Sequence, residues 1–201
     1  MKLPPSPDYF PTLDKMLAPV ETEKWTAESA AGMTDSEKRR LEQLRQLRVL
    51  DTPKERLFES FAGQALKIIP GTTISAVSLV DLHRQWFKAI VGLDITETPR
   101  EESFCSHTIQ TNGVLIVNDA TKDPRFADNA LVTGAPGVRF YAGVKLTRAV
   151  GALCVIGTQP RDISRAEIGK LVQLAQFIDI QLLTAGTLGN LGDAPKADKG
   201  R

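Results

Sequence analysis

Cysteine, histidine and unbroken apolar sequence are all scarce in this 201-residue chain, and each shortage removes a class of protein. Two cysteines, Cys105 and Cys154, cannot form a disulfide framework. With only His83 and His107 beside them they give too few soft ligands, at spacings that fit no finger or ribbon, so neither a structural metal nor a cofactor is expected. No apolar run approaches the roughly 20 residues that cross a bilayer. The opening "MKLPPSPDYFPTLDK" lacks the apolar core of a signal peptide, so a soluble, cytoplasmic protein without membrane insertion is expected. Charge is nearly balanced, 25 Lys and Arg against 24 Asp and Glu, and a formal net charge of +1 supplies no field that would imply a nucleic-acid partner. What remains is ordinary globular composition, 42% hydrophobic, in a chain long enough for one core with tails.

The pattern along the chain divides it into an arm, a domain and a tail. Residues 1–33 carry scattered prolines and the small-residue run "AESAAGM" and are read as a disordered arm, with Tyr9, Phe10 and Trp25 as its docking residues. "TDSEKRRLEQLRQLRVLD" has Thr34 or Ser36 as N-cap and Leu41, Leu44, Leu47 and Leu50 at three-residue steps, which predicts a basic amphipathic helix. Its arginines, Arg39, Arg40, Arg45 and Arg48, are expected in solvent. Pro53 suits the first turn of a second helix with Phe58, Phe61, Ala62, Ala65 and Ile69 on one face. "ISAVSLVD" is apolar on both alternating faces, as a strand covered on both sides must be, and "QWFKAIVGL" follows it across a short loop at His83 as a hairpin partner. Residues 94–112 are irregular, "GVLIVND" is a short strand, and "ATKDPRFADNALVTGAPG" is a long aperiodic segment of the kind that forms binding surfaces. "VRFYAGVKLT" and "GALCVIG" complete the sheet, and a last helix runs from the N-cap Ser164, with Glu167 three residues on, to about Thr184, with apolar residues on two sides. Residues 34–185 are thus one α+β domain with a mostly antiparallel sheet, and 186–201 a flexible tail.

Several of these blocks, in this order, resemble a known family. "RLEQLRQLRVLDTPKERLFE", "SLVDLHRQWFKAIVGLDITETPREESFCSHTI", "LIVNDATKDPRFADNALVTG" and "VRFYAGVKL" followed by "GALCVIG" look like a GAF domain over about residues 39–184, of the type found alone or ahead of histidine kinase and diguanylate cyclase output domains. The resemblance implies a central antiparallel sheet with a helical and loop insert roofing a pocket on one face, and terminal helices on the other face that form a homodimer. The chain departs from the family at "TRAV", which joins two strands by a clipped turn, and at Gly157, where the strand commonly ends in Asp.

Within that frame "EESFCSHTI" admits four readings. A Cys105–His107 nucleophile and base is not forbidden by geometry, but no distant histidine and carboxylate at recognisable spacing support it. A thiol reductase like the free methionine sulfoxide reductases of the family would use Cys105, yet needs a resolving thiol, and Cys154 in "ALCVI" reads as a small core hydrophobe. Bilin-attaching relatives have Cys and His adjacent and after the aspartate block, whereas here Ser106 intervenes and the block comes later. The fourth reading makes the stretch a pocket wall, with Phe104, Cys105, His107, Asp119, Arg125, Asn129, Thr133, Arg139 and Tyr141 as ligand-binding residues. Each also has a structural role open to it: Asp119 as a cap or as partner of Arg139, Tyr141 as core. The expectation is a small-molecule-binding sensory domain, dimeric through its terminal helices, without catalytic activity of its own and signalling to a separate output protein. The alternatives are the Cys105 reductase and a dimerisation module without a ligand.

Overall fold

The computed structural model describes residues 32–192, with side chains described to residue 184. The expected arm residues Tyr9, Phe10 and Trp25 and the end of the tail lie outside the described residues. The elements are α1 (Asp35–Leu47), α2 (Arg56–Ile68), β1 (Ile74–Val80), β2 (Arg84–Val91), β3 (Glu97–Pro99), α3 (Phe104–Thr108), β4 (Val114–Val117), α4 (Ala130–Thr133), β5 (Phe140–Lys145), β6 (Gly151–Gly157) and α5 (Arg165–Gly192). The strands form one antiparallel sheet in the order β3-β2-β1-β6-β5-β4.

Side chains alternate across the sheet and so feed two separate cores. Val77 and Leu79 of β1, Leu153 and Val155 of β6, and Phe140, Ala142 and Val144 of β5 face the helical layer. There they meet Leu44 and Leu47 of α1, Phe58, Phe61, Ala62 and Ala65 of α2, and Ile168, Leu171, Ala175 and Ile178 of α5. Ala76, Val80, Tyr141, Ala152 and Cys154 face the other way, under the insert. The antiparallel α+β architecture matches the expectation from sequence.

The structure corrects several details. α2 starts at Arg56 rather than near Pro53, because Lys88 holds the preceding link extended, donating to Thr52 Oγ1 at 2.7 Å and to Pro53 O at 3.3 Å and pairing with Glu55. Lys88 is the extra residue of a bulge, since Val77 pairs with Ala89 and Ser78 with Phe87. Arg40, expected in solvent, is buried: it grips Glu37 with Nε at 2.8 Å and Nη2 at 2.7 Å and donates Nη1 to Val80 O at 2.6 Å. The irregular stretch 94–112 contains β3, a 3-10 turn at Arg100–Glu102 and α3.

α5 begins with the predicted reciprocal cap, Ser164 Oγ accepting from Glu167 N at 3.2 Å and Ser164 N donating to Glu167 Oε2 at 2.8 Å, and it continues past Thr184 to Gly192. Midway along it, Asp179 accepts from Thr147 N at 2.8 Å and from Thr147 Oγ1 at 2.7 Å. Thr147 opens the clipped β5–β6 turn, in which Arg148 and Ala149 sit at φ 60° and 54°, a left-handed conformation that costs a side-chain-bearing residue on the order of 1 kcal/mol or more. Burial raises the Asp179 carboxyl from 3.8 to about 6, against the lowering effect of its two Thr147 hydrogen bonds. An acid with a raised folded-state pKa binds more protons when folded, so its contribution to stability falls as pH rises through that window. Urea unfolding of the wild type and of Asp179→Asn across pH 4 to 7 should show the wild type losing about 2 kcal/mol relative to the variant as pH rises. A constant difference would mean that this carboxyl titrates normally.

Candidate functional site

The insert meets the sheet around α3. Ser103 caps α3, its Oγ accepting from Ser106 N at 3.1 Å while donating to Gln85 Oε1 on β2. Ser106 Oγ returns to Arg100 O at 3.1 Å, so both ends of the turn into α3 are fixed before any apolar contact is counted. Phe104 then stacks on Phe126 at a centroid distance of 4.0 Å and an interplanar angle of 9°, and lies 5.1 Å from the Tyr141 ring. His107 sets its edge against Phe126 at 4.7 Å.

Tyr141 fastens this layer to the sheet. Its hydroxyl lies 2.6 Å from Thr108 Oγ1 and donates to Cys105 Sγ at 3.3 Å. To get there the ring leans along β5 over Gly143, where a Cβ would stand 2.2 Å from the Tyr141 hydroxyl and 2.8 Å from Thr108 Oγ1. Glycine is therefore required at 143 by close approach.

Beside this lock is an enclosed cavity of about 50 Å³, walled by β1, β2 and β6 below and by the insert above. Ala76, Phe87, Ile90, Ile95, Val138 and Ile156 make it mainly apolar. Gln85, Thr98, Ser103 and Tyr141 bring polar atoms to its wall, and Thr98 Oγ1 is buried without a hydrogen-bond partner. Cys105 and Cys154 both line it. Burial opposes charge on Cys105, but the polar groups of Cys154, Ser78, Tyr141 and Ser103 around it together outweigh burial and hold the thiol below its ordinary value. Cys154 is pushed well up by Cys105 beside it and by burial. Burial, then the charge of Cys105, raises Tyr141 likewise.

Of the residues singled out from sequence, Phe104, Cys105 and Tyr141 come together on this cavity. His107 is buried one layer out, on Phe126. Asp119 and Arg125 line a separate, open cleft of about 900 Å³. There Asp119 accepts from Thr121 and pairs with Lys122, not with Arg139, while Arg125 makes a two-pronged bond to Asp123 at 2.9 and 2.6 Å. Asn129 caps α4 through Leu131 N and donates Nδ2 to Glu102 O at 3.0 Å, and Thr133 Oγ1 returns to Asn129 O. Arg139 closes α4 by donating to Val132 O at 3.0 Å. Gln85, Thr98 and Ser103 were not among the candidate binding residues, and Cys154 was read as a small core hydrophobe. The Ser103–Ser106 spacing is a readable capping signal, whereas the face of Cys154 in an all-apolar strand is not. Among the described residues no cluster of three or more His, Cys, Asp or Glu could hold a metal ion, and no helix is long and apolar enough to cross a membrane.

No protein-family model matches the chain. A curated relative, a cyclic di-GMP phosphodiesterase of Pseudomonas aeruginosa, is 40% identical over 144 residues, covering 69% of this chain and 24% of the relative. The chain thus spans about a quarter of the length of the relative it matches. This match corrects the expectation of a protein without catalytic activity of its own: the relative is named as a cyclic di-GMP phosphodiesterase. Among solved structures, the GAF domain of an Acinetobacter phosphoenolpyruvate-protein phosphotransferase superposes with a TM-score of 0.54 at 20% identity, over 79% of this chain and 99% of that one. The free methionine-R-sulfoxide reductase of Neisseria meningitidis, solved with its substrate, gives 0.54 at 16% identity, over 84% and 98%.

The lock over Gly143 can be tested directly. Gly143→Ala should cost about 1–3 kcal/mol in chemical unfolding, as overpacking does. Tyr141→Phe, by removing the atom nearest the new Cβ, should recover part of that cost in the double variant, and strictly additive losses would show that the hydroxyl is not what excludes a side chain there.

Proposed function

We propose, from the GAF fold of residues 34–184, that this domain is a sensory and regulatory unit of cyclic di-GMP signalling, in which occupancy of the cavity between insert and sheet sets the state of a phosphodiesterase. The observation that carries the reading is the two-sided sheet. Along β1, β5 and β6 one side chain touches the cavity layer and the next touches the layer of α5. A ligand that spreads the insert from the sheet changes the strands against which α5 packs. It shifts the equilibrium only by its preference for the spread form.

The wall selects a small, mostly apolar ligand with one polar group for the unpaired Thr98 hydroxyl. At about 50 Å³ the closed cavity holds little more than one or two water-sized groups, so a drug-sized ligand requires the Phe104–Tyr141 layer to lift. On the opposite side of the domain α5 leaves Phe177 59% and Ile180 53% exposed while Ile178 is fully buried. These two side chains form the contact of a homodimer through the terminal helices, the route by which the state of one domain reaches an output protein.

A second reading rests on the shared lining of the cavity by Cys105 and Cys154, which places a second thiol beside the pocket thiol. In a free methionine sulfoxide reductase the Cys105 thiol would take the sulfoxide oxygen, giving methionine and a sulfenic acid, and Cys154 would displace water to close the disulfide, with an added dithiol restoring both. The small cavity favours the sensory reading.

The test grafts residues 34–184 in place of the matching segment of the Pseudomonas phosphodiesterase and follows cyclic di-GMP hydrolysis. The graft should hydrolyse, and Phe104→Ala, which enlarges the cavity, should change its rate by at least about two-fold. Phe177→Glu with Ile180→Glu should abolish the dimer in sedimentation and remove the Phe104→Ala effect. Rates indifferent to both changes would sink the regulatory reading, and dithiol-dependent loss of methionine sulfoxide that Cys154→Ser stops would establish the second one.

A further inference from the structure

A third concavity, of about 660 Å³, shares no lining residue with the insert cavity. Four guanidinium groups line it, those of Arg39, Arg40, Arg100 and Arg148, and against them stands one carboxylate, Glu37. That carboxylate is turned inward. Its Oε1 accepts from both Arg40 Nη2 and Arg100 Nη1 at 2.7 Å, and the same Arg100 nitrogen also donates to Asp81 O at 2.9 Å. Arg100 is 1% exposed and Arg40 6%, so the floor of the groove is a pair of desolvated cations sharing an anion, while Arg39 and Arg148 stand exposed at the rim.

The electrostatics agree with this geometry. Burial lowers Arg100 to about 10 against the pull of Glu37, with the Arg40 charge adding to the lowering. Glu37 is held at about 2 because the hydrogen bonds and charges of Arg40 and Arg100 outweigh its burial.

We propose that this groove is an anion site for a phosphorylated small molecule, its phosphate held by Arg39 and Arg148 at the rim and drawn inward by the Arg40–Arg100 pair. Three observations select this class of ligand. The lining carries three more positive than negative charges, which a multiply charged phosphate offsets better than a single carboxylate. Guanidinium forks bind phosphate oxygens two at a time. The volume lies within the roughly 300–1,000 Å³ of small-molecule sites, which leaves room for an organic group beyond the phosphate.

The site is wired to α5. Arg148 and Ala149 belong to the left-handed turn that Thr147 ties to Asp179, and Arg40 Nη1 reaches Ala149 O at 3.4 Å. An anion that draws Arg148 inward therefore pulls on a turn already latched to the long helix.

Isothermal titration of the full chain with inorganic pyrophosphate, at ionic strength held constant with KCl, tests the site. Saturable binding should weaken at least about ten-fold in Arg39→Ala/Arg148→Ala, and less than about two-fold in Arg45→Ala, which removes an exposed charge of α1 outside the groove. The melting temperature of each free variant checks that the fold is kept, and the single variants Arg39→Gln and Arg148→Gln, each expected to weaken binding, replace the double variant if it is not. Absence of saturable binding, or equal weakening by Arg45→Ala, overturns the proposal. Either result leaves the insert-cavity reading standing, because no residue lines both sites.

Discussion

A six-stranded sheet dry on both faces has to send alternate side chains of each central strand into different compartments, and everything else in this domain is arranged around that requirement. Residues 76 and 80 of β1 belong to the insert layer and residues 77 and 79 to the helical layer, so a strand cannot move relative to one layer without moving relative to the other. Close packing makes such a shift a change between discrete arrangements rather than a smooth deformation. The bulge at Lys88 shows how strictly the requirement holds. One inserted residue delivers a buried ammonium to the helical side, where Thr52, Pro53 O and Glu55 receive it.

On the insert side, polar atoms fix the geometry and apolar atoms fill it. Ser103 bridges the α3 cap to Gln85, Ser106 holds the preceding turn, and the Tyr141 hydroxyl crosses a glycine to reach Thr108 and Cys105. Each of these bonds is buried, where a lost partner costs more than the bond itself contributes. The layer is therefore held by a few directional contacts whose breakage is expensive, with a small void beside them. Under the proposed function, a ligand that opens such a layer does so by replacing those contacts.

Much of the fold was legible because it follows from periodicity. Leu41, Leu44 and Leu47 of α1, the unbroken apolar run of β1 and the Ser164–Glu167 cap appear where their spacing put them, while Leu50 falls beyond the helix because Arg48 ends it in a left-handed cap. Pairing across a sheet was not legible, and neither was anything that depended on it. Cys154 reads as an inert core residue until β6 is registered between β1 and β5, which sets it beside Ala76 and Gly143 and beneath Cys105. Arg40 reads as a solvated charge from its residue type, although it lies four residues before Leu44 on the buried face; the Glu37 carboxylate one turn earlier, with Val80 O of β1 as a further acceptor, makes its burial favourable. Asp119 and Arg125 were grouped with the pocket because they lie in the insert sequence, but the insert has two sides and these residues face the outer one.

Three features meet on one turn of α5. Ile178 is sealed in the helical core, Asp179 grips the strained β5–β6 turn, and Phe177 and Ile180 face outward, all within four consecutive residues. Successive helical residues point about 100° apart, so the helix cannot rotate to present a different outer face without withdrawing Ile178 or releasing Thr147. Releasing Thr147 removes one of the contacts that hold the turn in which Arg148 and Ala149 are left-handed. The exposed face, the latch and the strained turn therefore change together. Under the two proposals, a ligand at the sheet or at the arginine-lined groove acts on α5 through this latch together with the apolar packing of Ile168, Leu171, Ala175 and Ile178.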